Sequence, residues 1–130
     1  MMEAKQRILI VDDEEAILFS YRELLQGASV EVDGCMNLEK ALALIRANSY
    51  SAIITDLRLS HSESNEGLQL LRHIKTHRPA IPVIVTTAYG SDAIKDEVLA
   101  SGACGYFSKP VRIAEMLRVL QEMGVPAGRF

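Results

Sequence analysis

Five short runs rich in Ile and Val recur along this sequence: Ile8–Val11, Val30–Cys35, Ala52–Thr55, Ile81–Thr86 and Cys104–Phe107. Each is followed by a stretch of helical periodicity. The first helical stretch places Ile17, Tyr21, Leu24 and Leu25 on one face and stops near Gly27. The second groups Leu38, Ala41, Leu42 and Ile45, with Asn37 as N-cap and Asn48 near its end. The third groups Leu68, Leu71 and Ile74 and ends before Pro79. The fourth runs from Ser91 through Ile94 and Val98 to Gly102, and the fifth opens at Pro110 and carries Ile113, Met116, Leu117 and Leu120. Strands that alternate with helices over a whole chain predict an α/β fold with a parallel sheet. Near-continuous apolar runs such as Ile8–Val11 fit strands covered on both faces.

Length and composition agree with one soluble domain. The chain has 130 residues, 48% hydrophobic and 24% charged, values that exclude a disordered or fibrous chain. A net charge of −3 gives no reason to expect direct nucleic-acid binding or attachment to an acidic membrane. The first apolar run stops at Asp12-Asp13, too short for a secretory segment, and no run is long enough to span a bilayer. The expected compartment is the cytoplasm. The two cysteines, Cys35 and Cys104, make no disulfide framework and read as small, reduced core residues. Residues 1–123 form the expected domain, and 124–130, with Gly124, Pro126 and Gly128, read as a short loose tail.

In an open parallel sheet, ligands collect beyond the carboxyl ends of the strands. The first run is followed by Asp12-Asp13, the third by Asp56, the fourth by Thr87 and the fifth by Lys109; the second brings only Gly34 and Cys35. Each has an ordinary reading alone: a helix cap for the Asp pair, a loop carboxylate for Asp56, an exposed lysine before a helix-opening proline for Lys109-Pro110. Four of five strands delivering polar groups to one rim is a different matter. Three carboxylates in one crevice repel, so their pKa values rise or a cation joins them. A few hard oxygen ligands suit Mg²⁺ better than an all-protein Ca²⁺ cage. The Lys109 ammonium and the Thr87 hydroxyl can both meet an anion. Such a set makes a phosphoryl-transfer site, in which a carboxylate can itself be the nucleophile.

Four stretches, Ile8–Glu14, Ile53–Leu57, Pro82–Ala88 and Gly102–Pro110, give the sequence a resemblance to the receiver domain of two-component response regulators over essentially its whole length. The resemblance implies a doubly wound, flavodoxin-like (βα)5 three-layer sandwich with strand order 2-1-3-4-5. It implies Asp56 as phosphoacceptor, and Asp13, Asp56 and the Arg58 backbone carbonyl as ligands of Mg²⁺ (or Mn²⁺), with Asp12 acting through water. Thr87, Ala88 and Lys109 would accommodate the phosphoryl group. Thr87 and Tyr106 would form the switch, Tyr106 turning inward as Thr87 is drawn to the phosphoryl group, while Thr86 stays a buried strand residue. Arg58 and Tyr89 sit where the family tunes attack of water on the acyl phosphate. The implied donor is a histidine kinase or a histidine phosphotransfer protein. Output is expected through the fourth helix, fifth strand and fifth helix, toward an unknown protein target, from a monomer or a phosphorylation-dependent homodimer. Two other readings stay open: an unphosphorylated interaction module, and a small Mg²⁺-dependent phosphohydrolase, which would want a second carboxylate where Arg58 stands.

The sequence departs from the family pattern in one place. Ser60 replaces the usual proline after the phosphoacceptor strand, and Asp56 to Gly67 exceeds the common spacing, so Ser60–Glu66 reads as a lengthened polar loop. Surface loops tolerate such insertions at little thermodynamic cost. His73 and His77, four apart, are spaced for a shared metal; with no third ligand in sight they read as an exposed helix face.

Overall fold

Side-chain alternation within the strands sets the layers. In the first strand, β1 (Gln6–Val11), Ile8 and Ile10 point to one side and Leu9 and Val11 to the other, and all four are fully buried. A sheet of such strands must be covered twice. The computed structural model, which describes residues 5–59 and 65–128, does so with helices from every crossover. After β1 come α1 (Glu15–Leu25), β2 (Val30–Cys35), α2 (Leu38–Ala47), β3 (Ala52–Asp56), α3 (Glu66–His77), β4 (Val83–Thr87), α4 (Asp92–Ala100), β5 (Gly105–Ser108) and α5 (Ile113–Glu122). The strands pair in parallel in the order β2-β1-β3-β4-β5, as the resemblance implied. On one face Tyr21, Leu25, Met116 and Leu120 of α1 and α5 pack on Ile8, Ile10, Ile54 and Ile84. On the other, α2, α3 and α4 set Ala41, Ile45, Leu71, Ile74 and Val98 against Leu9, Val11, Ile53 and Val85. Each buried aliphatic side chain contributes about 1.5–3 kcal/mol before entropy is counted.

Two helix starts carry side-chain caps, the first of them the expected Asn37. The Asn37 side chain accepts from the Lys40 amide at 2.8 Å, and Ser91 Oγ accepts from the Ile94 amide at 3.2 Å. Another helix start is set by close approach. A Cβ on Gly67, in the first turn of α3, would fall on the Asp56 carbonyl oxygen and within 2.8 Å of Leu57 Cα, both backbone atoms that cannot step aside. The Gly67 amide instead donates to the Leu57 carbonyl at 2.9 Å, tying α3 to the end of β3. Gly67→Ala is therefore expected to lose about 1–3 kcal/mol in urea unfolding, the cost of overpacking, although alanine is the better helix former.

Several expectations need correction. Leu24 is 46% exposed, because the i, i+4 pair Tyr21 and Leu25 takes the sheet-facing stripe of α1 and leaves its neighbour outside. The fifth helix starts at Ile113 and not at Pro110. Lys109-Pro110 is a cis peptide, Arg112 is still extended, and helical pairing begins when the Glu115 and Met116 amides donate to the Arg112 carbonyl. Cys104 is exposed, since it precedes edge strand β5, though its thiol rests on the Val83 carbonyl; Cys35 is buried, and both are free. The tail is packed where it is described. Val125 and Ala127 are buried in the α1–α5 core, the Gly128 amide donates to the Leu25 carbonyl at 2.8 Å, and Gln6 Nε2 donates to the Gly124 carbonyl. Of the lengthened loop, residues 60–64 lie outside the described residues, and Glu66 belongs to α3.

Candidate functional site

The strand register brings the chain's polar residues to one rim. Val11 pairs with both Cys35 and Thr55, Asp56 with Thr86, and Thr87 with Ser108, so β1, β3, β4 and β5 all end at the same level. Asp12 keeps a foot in the sheet: its amide donates to the Cys35 carbonyl at 3.0 Å, which holds the residue buried just past β1. Its Oδ1 accepts from the Glu14 amide at 3.0 Å and turns the chain into α1. Asp56 closes β3, with Oδ1 facing the Arg58 amide at 3.4 Å. The Lys109 amide donates to the Thr87 carbonyl at 2.9 Å, which sends the lysine side chain back over the rim.

Lys109 Nζ lies 2.8 Å from Asp12 Oδ2 and 3.1 Å from Asp56 Oδ2, so one ammonium bridges two buried carboxylates. Oxygen atoms of Asp12, Asp13 and Asp56 lie within 4.8 Å of one another. Burial raises the Asp56 pKa above the usual carboxylate value; Lys109 opposes the rise and Asp12 adds to it. Burial alone would lower Lys109, but the hydrogen bond and charge of Asp12, and those of Asp56, outweigh it and leave its pKa raised. The cluster carries more negative charge than one ammonium neutralises. Its all-oxygen donor set fits a hard divalent cation of the Mg²⁺ type.

The other predicted residues surround this cluster. Thr87 is buried at the end of β4, and its Oγ1 accepts from the Tyr89 amide at 3.0 Å. Thr86 is buried within the strand, as expected. Arg58 stacks on Tyr89, its guanidinium carbon 4.7 Å from the ring centroid, so the loops after β3 and β4 meet beside Asp56. Arg58 Nε is buried without a hydrogen-bond partner among the described residues. The Tyr106 hydroxyl is likewise buried and unpartnered. It occupies the place a Cβ on Gly90 would take, near Thr87 Cγ2, so here the ring already points inward. One contributor was not legible in the sequence. Tyr21, assigned only to the core, has a phenol pKa raised first by burial, lowered by Lys109, and raised again by Asp12 and Asp56, which puts it in the field of the site. A helical stripe reports burial, not which strand end lies beneath it. The His73 and His77 rings lie tilted to one another with centroids 4.3 Å apart but join no third metal-ligating side chain among the described residues.

An open groove of about 470 Å³ runs between α1 and the segment after β5, lined by Ile17, Tyr21 and Leu24 on one side and Pro110 and Ile113 on the other. Lys109 and Ala88 also line it, so it adjoins the carboxylate cluster.

A sheet of this order, with an acidic cluster and a lysine at its carboxyl rim, defines a recognisable class. The chain belongs to the response regulator receiver domain family, whose model matches residues 8–121. It is 33% identical to the transcriptional regulatory protein ZraR of Klebsiella oxytoca over 88% of this chain and 25% of that one. It is 30% identical to the two-component response regulator ARR2 of Arabidopsis thaliana over 92% of this chain and 18% of that protein. The chain thus spans a quarter or less of these curated relatives. Among solved structures it resembles the CheY-like receiver domain protein of Methanospirillum hungatei JF-1, with TM-score 0.83, 30% identity and coverage of 92% and 93% of the two chains. It also resembles a BeF3-activated DrrB receiver domain, with TM-score 0.81, 25% identity and coverage of 92% and 97%. Receiver domains are signalling domains of two-component systems rather than conventional enzymes. No helix among the described residues is long and apolar enough to cross a membrane.

Proposed function

We propose that this chain is a phosphorylation-controlled switch, acting in the cytoplasm, in which Asp56 accepts a phosphoryl group from the phosphohistidine of a histidine kinase or a histidine phosphotransfer protein. The observation that carries this reading is the Lys109 ammonium bridging Asp12 and Asp56 at the end of β3, with Asp13 in the same oxygen cluster. In the reaction an Asp56 carboxylate oxygen attacks phosphorus, the P–N bond of the donor breaks, and the imidazole leaves with a proton from solvent. Asp13, Asp56 and the Arg58 carbonyl would hold Mg²⁺ (or Mn²⁺), with Asp12 acting through water, and the ion would supply positive charge to offset repulsion between the cluster and the incoming group. Lys109 then exchanges its Asp56 contact for a phosphoryl oxygen. Thr87 rotates from the Tyr89 amide to donate to another, with small Ala88 leaving room for the loop to close. That rotation changes what the Tyr106 ring packs against, and so shifts the balance between two arrangements of α4, β5 and α5. The apolar groove beside Lys109 supports a protein donor, because a helix bearing the phosphohistidine can seat along it.

The test is intact-mass measurement after incubation with acetyl phosphate and Mg²⁺, and again with EDTA. One phosphoryl group per chain, absent with EDTA, is the expected result. No incorporation would leave an interaction module, and steady turnover of a phosphate monoester would make the chain a hydrolase.

The Arg58–Tyr89 stack also bears on lifetime. Stacked over the two loops, these side chains narrow the approach of water to an acyl phosphate on Asp56. Arg58→Ala with Tyr89→Ala is expected to shorten the phospho-form half-life about tenfold, of the order one lost oriented contact produces. Radiolabel decay checks it, and an unchanged half-life would remove the stack from the account.

A further inference from the structure

Beside the acidic rim, on its β2 side, a second and wider concavity of about 980 Å³ lies between α1 and α2, over the C-terminal end of β2. β2 is an edge strand, so nothing in the sheet closes this side. Leu18 and Phe19 of α1, Ala43 and Leu44 of α2, and Met36 form its walls, and the Arg22 guanidinium and Leu18 lie over Gly34 at its floor. Phe19 is 67% exposed and Met36 38%, which makes a contiguous apolar surface rather than a scattered residue. Glu15 and Arg22 stand at the two ends of the same face of α1. Both are exposed, and neither forms an ion pair among the described residues.

We propose that this face binds a second copy of the chain, α1 packing antiparallel on α1 about a two-fold axis that passes between Leu18 and Phe19. The argument is charge complementarity under symmetry. Such an axis sets Glu15 of each copy opposite Arg22 of the other, so one unpaired acid and one unpaired base make two ion pairs. Each Phe19 enters the groove of the other copy, between its α1 and α2. The contact is isologous and closes on itself. Antiparallel helices also oppose their dipoles favourably. None of these residues belongs to the carboxylate–lysine cluster, so this association is independent of phosphorylation and does not rest on the proposed function.

Sedimentation velocity over a concentration series tests it, with circular dichroism to show that each variant folds. The wild type is expected in monomer–dimer equilibrium without any phosphoryl donor, weakened by added salt because the flanking pairs are solvent-exposed. Phe19→Asp should weaken dimerisation about tenfold or more, as loss of a central aromatic anchor does. Glu15→Arg and Arg22→Glu should each weaken it, and the two together in one chain should restore it. A wild type that stays monomeric throughout, or a dimer that survives Phe19→Asp, overturns the proposal. So does a dimer lost on Leu99→Asp in α4, one formed only with beryllofluoride and Mg²⁺, or a charge swap that restores nothing.

Discussion

Asp56→Asn is expected to take up no phosphoryl group and, in Mg²⁺-free buffer at neutral pH, to be more stable than the wild type. The two effects have one cause. Asp56 is nearly buried, and desolvation raises its pKa even with Lys109 at 3.1 Å, so its ionised form is held in the folded state at a cost. Asparagine removes that charge and keeps an oxygen for Lys109, which also retains Asp12 at 2.8 Å. The gain is on the order of 1–3 kcal/mol, the scale for burying an imperfectly compensated polar group. Its pH dependence has a definite sign. Because the folded pKa lies above the unfolded one, the folded wild type binds the extra proton, and its stability falls as pH rises through that folded value. The variant does not share this fall. Its advantage is therefore present at neutral pH and fades as the wild-type carboxyl protonates in acid. Urea unfolding at several pH values reads the stability, and intact mass reads the phosphoryl group. Incorporation into the variant would move the acceptor to another carboxylate; a variant less stable at neutral pH would mean that Lys109 overcompensates the buried charge.

The parts of this site that lie at strand ends were legible in the sequence, and the parts made by two elements meeting were not. A parallel strand covered on both faces must be apolar almost throughout, so Asp12, Asp56 and Thr87 stand out at the point where the apolar run stops. Lys109 stands out for the same reason after Cys104–Phe107, although β5 runs to Ser108. Nothing local announces that Arg58 and Tyr89, more than thirty residues apart in sequence, stack on one another. Nor does it announce that Tyr21 lies in the field of Asp12, or that the Tyr106 hydroxyl fills the space left by Gly90. The same limit explains the tail. Gly and Pro spacing reads as loose chain, yet Val125 and Ala127 find the open end of the α1–α5 core, which only the assembled layers create. α5 starts later than Pro110 suggests, because a proline suits a first helical turn wherever it occurs, while the chain here first returns Lys109 to the rim.

Lys109→Met is expected to destabilise the chain by about 3 kcal/mol at pH 7 without Mg²⁺, near the lower end of what breaking a buried ion pair costs. The side chain keeps its packing stem and loses only the ammonium. Asp12 and Asp56 then share a buried space with no cation between them, while Asp12 retains the Glu14 amide and Asp56 the Arg58 amide. The raised pKa of wild-type Lys109 means that its contribution is complete at every pH below the ordinary lysine value and is lost only as pH rises through the higher, folded one. The variant's deficit must therefore come from the carboxylates. Without the ammonium the Asp56 pKa rises further, so its proton is held to higher pH, and the deficit shrinks as pH falls from 7 toward about 4, the unfolded aspartate value. A divalent cation should do what the proton does. Mg²⁺ is expected to stabilise the variant more than the wild type, and EDTA to reverse it, because the ion replaces the missing charge among the same oxygens. Lys109→Arg, which keeps the charge, should recover part of the loss. A deficit that is the same at pH 5 and pH 7, or insensitive to Mg²⁺, would show that Lys109 stabilises the fold through its stem and not by holding two carboxylates together.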